Sequence, residues 1–293
     1  MKYKRRDFVK TAVAGLALTT LTSKLMGQAA DSLFGAKENM KEFGLQLYTV
    51  RDVIPKDPKG VLKQVAAMGY KQVESFEGEK GMFWGMKNTE FKKYMDDLGM
   101  QIISSHCSIE KDFERKANEA AEIGMKYLID PWVGPQKDID TSKKIADKFN
   151  AAGEICKKAG LRFAYHNHDY PFVPVDGQVP LDVMIQNTDA ANVDFEMDIY
   201  WVVTAGEDPI KWFNKYPNRF RLCHIKDRKK NAPLSDKDAS CVAGQGAIDF
   251  PKILEAGKKN GLQYDFVEQE HYDNMTSLEA AKGNAAYLKK MKI

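Results

Sequence analysis

Five times in this chain a helical stretch ends in a glycine and a short β-rich run starts at once. The segments are AAMGYKQVESF, DDLGMQIISSH, AEIGMKYLIDPW, KKAGLRFAYHNH and KKNGLQYDFVEQE, with Gly69, Gly99, Gly124, Gly160 and Gly261 at the junctions. A helix that closes on a left-handed residue favours glycine there, because a Cβ is strained at positive φ. Repetition of helix, glycine and strand marks a βα array. Eight β-type runs are legible, at 43–48, 71–76, 101–106, 126–130, 162–166, 193–198, 219–224 and 264–268. Most start about thirty residues after the last, the length of one βα unit. The stretches 60–68, 91–98, 142–159, 250–260 and 278–291 repeat apolar residues at three and four with lysines opposite, as amphipathic helices do. Asp208 and Asp249 precede helical patterns and suit N-caps. The expected fold is α/β, a (β/α)8 TIM barrel. A doubly wound open sheet would carry a glycine-rich phosphate turn after its first strand, where this chain has LYTVRDVIPKD. No Pro/Ser/Gly-rich linker interrupts residues 31–293, which are expected to form a single domain.

Residues 1–30 read differently. Lys4-Arg5-Arg6-Asp7-Phe8-Val9-Lys10 leads into TAVAGLALTTL and then small residues near Ala30. A basic flank, a short apolar centre and a small-residue end make an export signal, and the paired arginines resemble the twin-arginine type. The apolar run is shorter than the roughly 20 residues needed to span a bilayer, so no membrane span is expected after its removal. The expected location is the periplasm. This segment carries Lys2, Lys4, Arg5, Arg6, Lys10 and Lys24 against Asp7, and the whole chain is +3, so the remainder is near −2. A mildly acidic body lacks the basic footprint of a nucleic-acid binder. Cys107, Cys156, Cys223 and Cys241 show no CxxC spacing and are expected as free thiols.

All five histidines fall at or just past the ends of apolar runs: His106, His166, His168, His224 and His271. In a parallel barrel such positions gather at one mouth, where catalytic groups protrude. The same ends supply Gln46, Tyr48, Glu74, Asp130, Trp132, Glu196, Asp198, Lys226, Asp227, Glu268 and Glu270. His166, Asp198, His224 and Glu268 come from four consecutive strands and can converge on one divalent ion, Mn, Zn, Co or Mg.

The set GLQLYTVRD, AYHNHDY, MDIYW, CHIKD, GQGAIDFPKIL and VEQEHY resembles the sugar isomerase/epimerase superfamily with the xylose isomerase-like barrel, over roughly residues 41–291. The resemblance implies one divalent ion held by Glu, Asp, His and Glu on successive strands. The last three correspond to Asp198, His224 and Glu268; at the first this chain has His166, so His166, His168 or a water fills that place. Several relatives carry a histidine where Trp201 stands here. The endonuclease branch carries an Asp-x-His after the seventh strand, and the stretch 228–247 contains no histidine. Nucleic acid is therefore not an expected partner.

The implied chemistry is proton abstraction next to a sugar carbonyl, polarised by the ion. Glu268 is expected as ligand and base, with His168 the alternative base. Lys226 is expected to donate to a developing oxyanion, and Glu270 and His106 are further catalytic candidates. Gln46, Tyr48, Glu74, Trp132 and Trp201 are candidates for substrate contact. The expected activity is isomerisation or epimerisation of an unphosphorylated sugar or keto-sugar. The alternatives are a lyase or hydratase acting on 3-keto-glycosides, and a sugar-binding barrel without activity. Self-association into a homo-oligomer is left open.

Overall fold

The structure, a computed structural model, describes residues 39–40 and 42–293. The expected export segment and the boundary at residue 31 lie outside the described residues. From Met40 to Met291 the chain alternates strands and helices. The barrel strands are β1 Gly44–Gln46, β2 Gln72–Phe76, β3 Gln101–His106, β4 Tyr127–Asp130, β5 Arg162–His166, β6 Val193–Asp198, β7 Phe220–Ile225 and β8 Tyr264–Val267. The helices are α1 Pro58–Met68, α2 Asn88–Asp97, α3 Phe113–Glu122, α4 Ile139–Ala159, α5 Pro180–Gln186, α6 Ile199–Thr204, α7 Pro209–Lys215, α8 Phe250–Lys259 and α9 Ser277–Leu288. Every strand pairs in parallel with its sequence neighbours, and β8 pairs with β1, closing one eight-stranded TIM barrel.

The elements follow from local chemistry. Gly69, Gly99, Gly124, Gly160 and Gly261 all have positive φ, between 65° and 99°. Asp208 and Asp249 cap α7 and α8, accepting from Ile210 N–H and Lys252 N–H. Outward strand faces and helix undersides merge into one continuous apolar core. Inside the barrel Ile103, Tyr127, Ile129, Ala164, Leu222 and Phe266 pack together. Each buried Ile, Leu or Phe among them contributes about 1.5–3 kcal/mol against exposure. Gly44 is dictated by this interior: a Cβ there would stand 2.2 Å from the Phe266 ring.

Sequence periodicity misses the short helices α5 and α6, which are only one or two turns long, whereas the cap residue Asp208 marks α7. The apolar residues of α5 and α6 read as part of adjoining runs. The four cysteines are free, as expected; Cys107, Cys156 and Cys223 are buried and Cys241 is partly so. No helix among the described residues is long and apolar enough to cross a membrane.

Candidate metal centre and active site

Strand register decides which side chains meet. Asp198 and His224 are direct partners on β6 and β7, and His166 faces Glu196 across β5 and β6. Glu268 follows β8 by one residue. The result is that His166, Asp198, His224 and Glu268 present ligand atoms all within 4.8 Å of one another, and all four residues are buried. His224 Nδ1 lies 3.4 Å from Glu268 Oε2 and 3.7 Å from Asp198 Oδ2, and His166 Nε2 lies 3.5 Å from Asp198 Oδ2. Asp198 divides its labour: Oδ1 accepts from Trp201 N–H and caps α6. Its Oδ2 has no hydrogen-bond partner, nor have His224 Nδ1 and both His166 ring nitrogens. Buried polar atoms are normally paired, and leaving one open costs about 1–3 kcal/mol. Four open atoms from two imidazoles and one carboxylate, with the Glu268 carboxylate beside them, form a donor set that fits a divalent ion.

A second group lies against the first and shares His224. His224 Nε2 is 2.7 Å from Glu74 Oε1 and 3.3 Å from Glu196 Oε2. His106 Nε2 is 2.8 Å from Glu196 Oε2 and 3.2 Å from Glu74 Oε1. Gln46 Nε2 donates to Glu74 Oε1 at 2.7 Å and Ser104 Oγ donates to Glu74 Oε2 at 2.6 Å.

Electrostatics match this crowding of acids around imidazoles. Burial disfavours charge on His106, but Glu74 and Glu196 outweigh it and lift its pKa to about 10. Burial likewise opposes charge on His224, and Glu196, Glu268 and Asp198 override it upward. Burial and the neighbouring Glu74 push Glu196 up to about 7. His166 is driven down to about 4, first by burial and then by its neighbouring imidazoles. Burial also takes His168 down to about 2, so it is neutral. For Asp198 and Glu268, burial is outweighed by Lys226 and the imidazoles, and both stay ionised.

Above the ligand group opens a cavity of about 410 Å³, lined among others by Tyr48, Glu77, His106, Trp132, His168, Glu268 and Glu270. That size suits a small ligand. Trp132 is 57% exposed and Tyr48 38% exposed, an unusual display of aromatic surface. The Trp132 ring stands edge-on to His168 at 4.7 Å and to Tyr170 at 4.9 Å. Lys226 is fully buried; its Nζ bonds Glu270 Oε1 at 2.8 Å and Glu268 Oε2 at 3.1 Å, and lies 4.9 Å from the Trp201 ring centre.

Sequence and structure part company at several positions. Gln46 and Glu74, candidates for substrate contact, are fully buried within the second group and do not line the cavity. Trp201, a third, is buried and packs over Lys226 and beside His168. In each case the strand or helix end faces inward or sideways, which strand spacing alone does not reveal. His271 does not join the other four histidines: it pairs with Asp273 at 3.0 Å and is 44% exposed. The chain has curled outward three residues past Glu268, where a loop no longer follows the strand.

Three functional features have no role legible in the sequence pattern. Glu196 is a strand-end carboxylate like several others, yet it bonds His106. Glu77 lines the cavity with its Oε2 held by Lys116 Nζ at 2.7 Å and Ser108 N–H at 3.0 Å. Its place one residue past β2 is a usable signal; Lys116, inside the charged run FERKANEA, reads as a surface lysine although it is buried. Asp227 accepts from the N–H groups of Arg228, Gly244, Gly246 and Ile248 and so pins the GQGAID loop. A Cβ at Gly246 would stand 2.1 Å from Asp227 Oδ1, which explains that glycine. Lys226 does not pair with its neighbour Asp227, because that carboxylate is spent on backbone.

Fold and site together define a TIM-barrel protein with a small-molecule cavity over a buried His/Asp/Glu group. The profile of the xylose isomerase-like TIM barrel family matches residues 62–291, and the chain belongs to that family. A solved sugar phosphate isomerase/epimerase from Parabacteroides distasonis is 31% identical, with 86% of this chain and 94% of that one covered at a TM-score of 0.74. An inosose dehydratase of Clostridium beijerinckii is 26% identical over 59% of this chain and 70% of its own length. That of Clostridium tetani is 27% identical over 88% of both. Several further inosose dehydratases match over less than half of their own length. Relatives of this kind are consistent with a sugar-modifying enzyme.

Proposed function

We propose that this chain is a divalent-metal-dependent enzyme that removes a proton next to the carbonyl of an unphosphorylated sugar or keto-sugar. The observation that carries this is the set of unpartnered donor atoms on His166, Asp198 and His224, with Glu268 beside them, at the floor of a sugar-sized cavity. His166, Asp198, His224 and Glu268 would hold the ion. A bound divalent ion, Mn, Zn, Co or Mg, would polarise a carbonyl oxygen and stabilise the charge that develops on it.

The rest falls to the protein. Tyr48 and Trp132 offer flat apolar surface for a sugar face, and Glu77 offers a fixed acceptor for a hydroxyl. Glu270 is the best-placed base: its carboxylate reaches the cavity and is not one of the four ligands. His168 stays neutral and supplies a second acceptor. Lys226 Nζ stands behind the cavity wall, 2.8 Å from Glu270 Oε1, and would meet a departing or developing oxygen by reaching past Glu268 and Glu270. The cavity wall carries Glu77, Glu268 and Glu270 but no lysine or arginine among the described lining residues, which disfavours a phosphorylated sugar.

A carboxylate and an ammonium group side by side favour elimination, with the proton taken by one and the leaving oxygen met by the other. The dehydratase names of the curated relatives point the same way. Isomerisation or epimerisation would use the same proton removal and return it to carbon. Location is part of the proposal: Lys4-Arg5-Arg6 and the apolar run after it suit twin-arginine export, so the substrate would be met outside the cytoplasm.

The test is a panel of free sugars, inososes and 3-keto-glycosides with the metal-loaded protein in D2O, read by product NMR. Solvent deuterium at carbon, or loss of water or aglycone, is expected with at least one keto-sugar. Binding of sugar and metal with no exchange at any carbon would replace the enzyme by a binding barrel.

A further inference from the structure

His224 joins the two buried groups through its two nitrogens. An imidazole that offers Nδ1 as a bare donor must carry its hydrogen on Nε2, and that hydrogen needs an acceptor. Glu74 Oε1 lies 2.7 Å from Nε2, the shortest contact the ring makes. Glu74 cannot swing away. It is fully buried, Gln46 donates to one of its oxygens and Ser104 to the other, and the three residues are consecutive cross-strand partners on β1, β2 and β3. A register shift between Val73 and Glu74 brings the carboxylate into this row. Glu196 Oε2, 3.3 Å from the same nitrogen, is already engaged at 2.8 Å by His106.

Glu74, His106, Glu196 and His224 could by count hold an ion of their own. Their contacts argue otherwise. Both Glu74 oxygens, Glu196 Oε2, His106 Nε2 and His224 Nε2 are spent on one another or on Gln46 and Ser104, which leaves Glu196 Oε1 open, whereas the open atoms of Asp198, His166 and His224 Nδ1 belong to the other group. The group whose atoms are mostly paired is a support for the open one.

We propose that Glu74 is a positioning residue: by accepting from His224 Nε2–H it fixes the ring orientation and the tautomer whose bare Nδ1 faces Asp198 and Glu268, and so sets the site's affinity for a divalent ion. Outer carboxylates of this kind orient a histidine ligand and raise its basicity, and their loss weakens metal binding about 10–100-fold. The proposal rests on the metal reading above, and its test separates the two.

Binding of Zn²⁺ and Mn²⁺ to the full chain is measured by competition with a chelating dye for the natural sequence, Glu74→Gln, Glu74→Leu and Asp198→Ala. The expected order is tight binding by the natural sequence, at least tenfold weaker binding by Glu74→Gln, a larger loss for Glu74→Leu, and none retained by Asp198→Ala. Glu74→Gln keeps the shape of the side chain, so it decides the matter if Glu74→Leu does not fold. A second readout is the ¹⁵N-histidine NMR spectrum of the Zn²⁺-loaded protein. The His224 Nε2–H proton should resonate far downfield in the natural sequence and move upfield in Glu74→Gln, a change that general loosening of the barrel would not produce selectively. Unchanged affinity and an unmoved Nε2–H in the Glu74 variants, with metal still lost in Asp198→Ala, overturns this role alone. Failure of the natural sequence to bind either ion overturns the metal reading and this role with it.

Discussion

At the amino-terminal end of the strands, Arg162 spends its guanidinium on Asp194 and on the carbonyls of Ala190 and Ala191. At the carboxy-terminal end, one strand length away on the same β5, His166 leaves both ring nitrogens without partners. Asp194 and Asp198 make the same contrast within β6: both are fully buried, one is clasped by Arg162 and the other keeps Oδ2 open. The lower end closes its polar groups on each other and gains stability. The upper end holds its groups in place yet leaves them unsatisfied, a cost that makes sense where a ligand completes them.

That contrast can be broken most sharply at Asp198. Asp198→Ala should abolish metal retention and reduce turnover at least about 10³-fold while the barrel still folds; metal analysis with circular dichroism checks both, and full metal content would remove Asp198 from the ligand set. Next comes Glu270→Gln, expected to lower kcat about 10²–10⁴-fold with metal content unchanged. Steady-state kinetics beside metal analysis reads this, and equal kcat would hand the base role to Glu268 or His168.

The lower end should respond in the opposite currency. Arg162→Met strands the buried Asp194 carboxylate, and a loss of roughly 2–4 kcal/mol of stability is expected, discounted because the arginine is partly exposed. Denaturant unfolding measures it, and activity per folded molecule should be unchanged. Asp265, second residue of β8, gives the smallest effect and a pH signature. Burial pushes its carboxyl up to about 6, above the 3.8 of an unhindered aspartate. The fold therefore favours the protonated form: this contribution is intact below about pH 4, declines as pH rises toward 6, and is flat above. Asp265→Asn should add about 1–3 kcal/mol at pH 7.5 and almost nothing at pH 4. Melting temperatures at the two pH values check this, and an equal shift at both would assign the gain to packing.

Much of the architecture is legible in the chain itself. Glycines after helical stretches mark five strands, β-type runs alone mark the other three, and all eight lie within two residues of those runs. The same strand ends point to His166, Asp198, His224 and Glu268, because the carboxy-terminal ends of consecutive barrel strands must converge. Strand ends cannot say which neighbours face inward toward that point. Gln46 and Glu74 carry the right chemistry at the right place, but their side chains lie beneath the cavity, and Trp201 is turned against Lys226. Lys116 shows the limit from the other side, since nothing in a run of charged helical residues marks the one that will be buried beneath Glu77.

Local sequence thus determined the βα repeat, the barrel and the inventory of polar residues at its mouth, since helix caps, strand propensity and period depend on near neighbours. Only the tertiary structure decided which polar atoms are used up and which stay open. That distinction turns on contacts between residues up to 150 positions apart, such as His224 with Glu74, and on register shifts beside the site that no local pattern encodes.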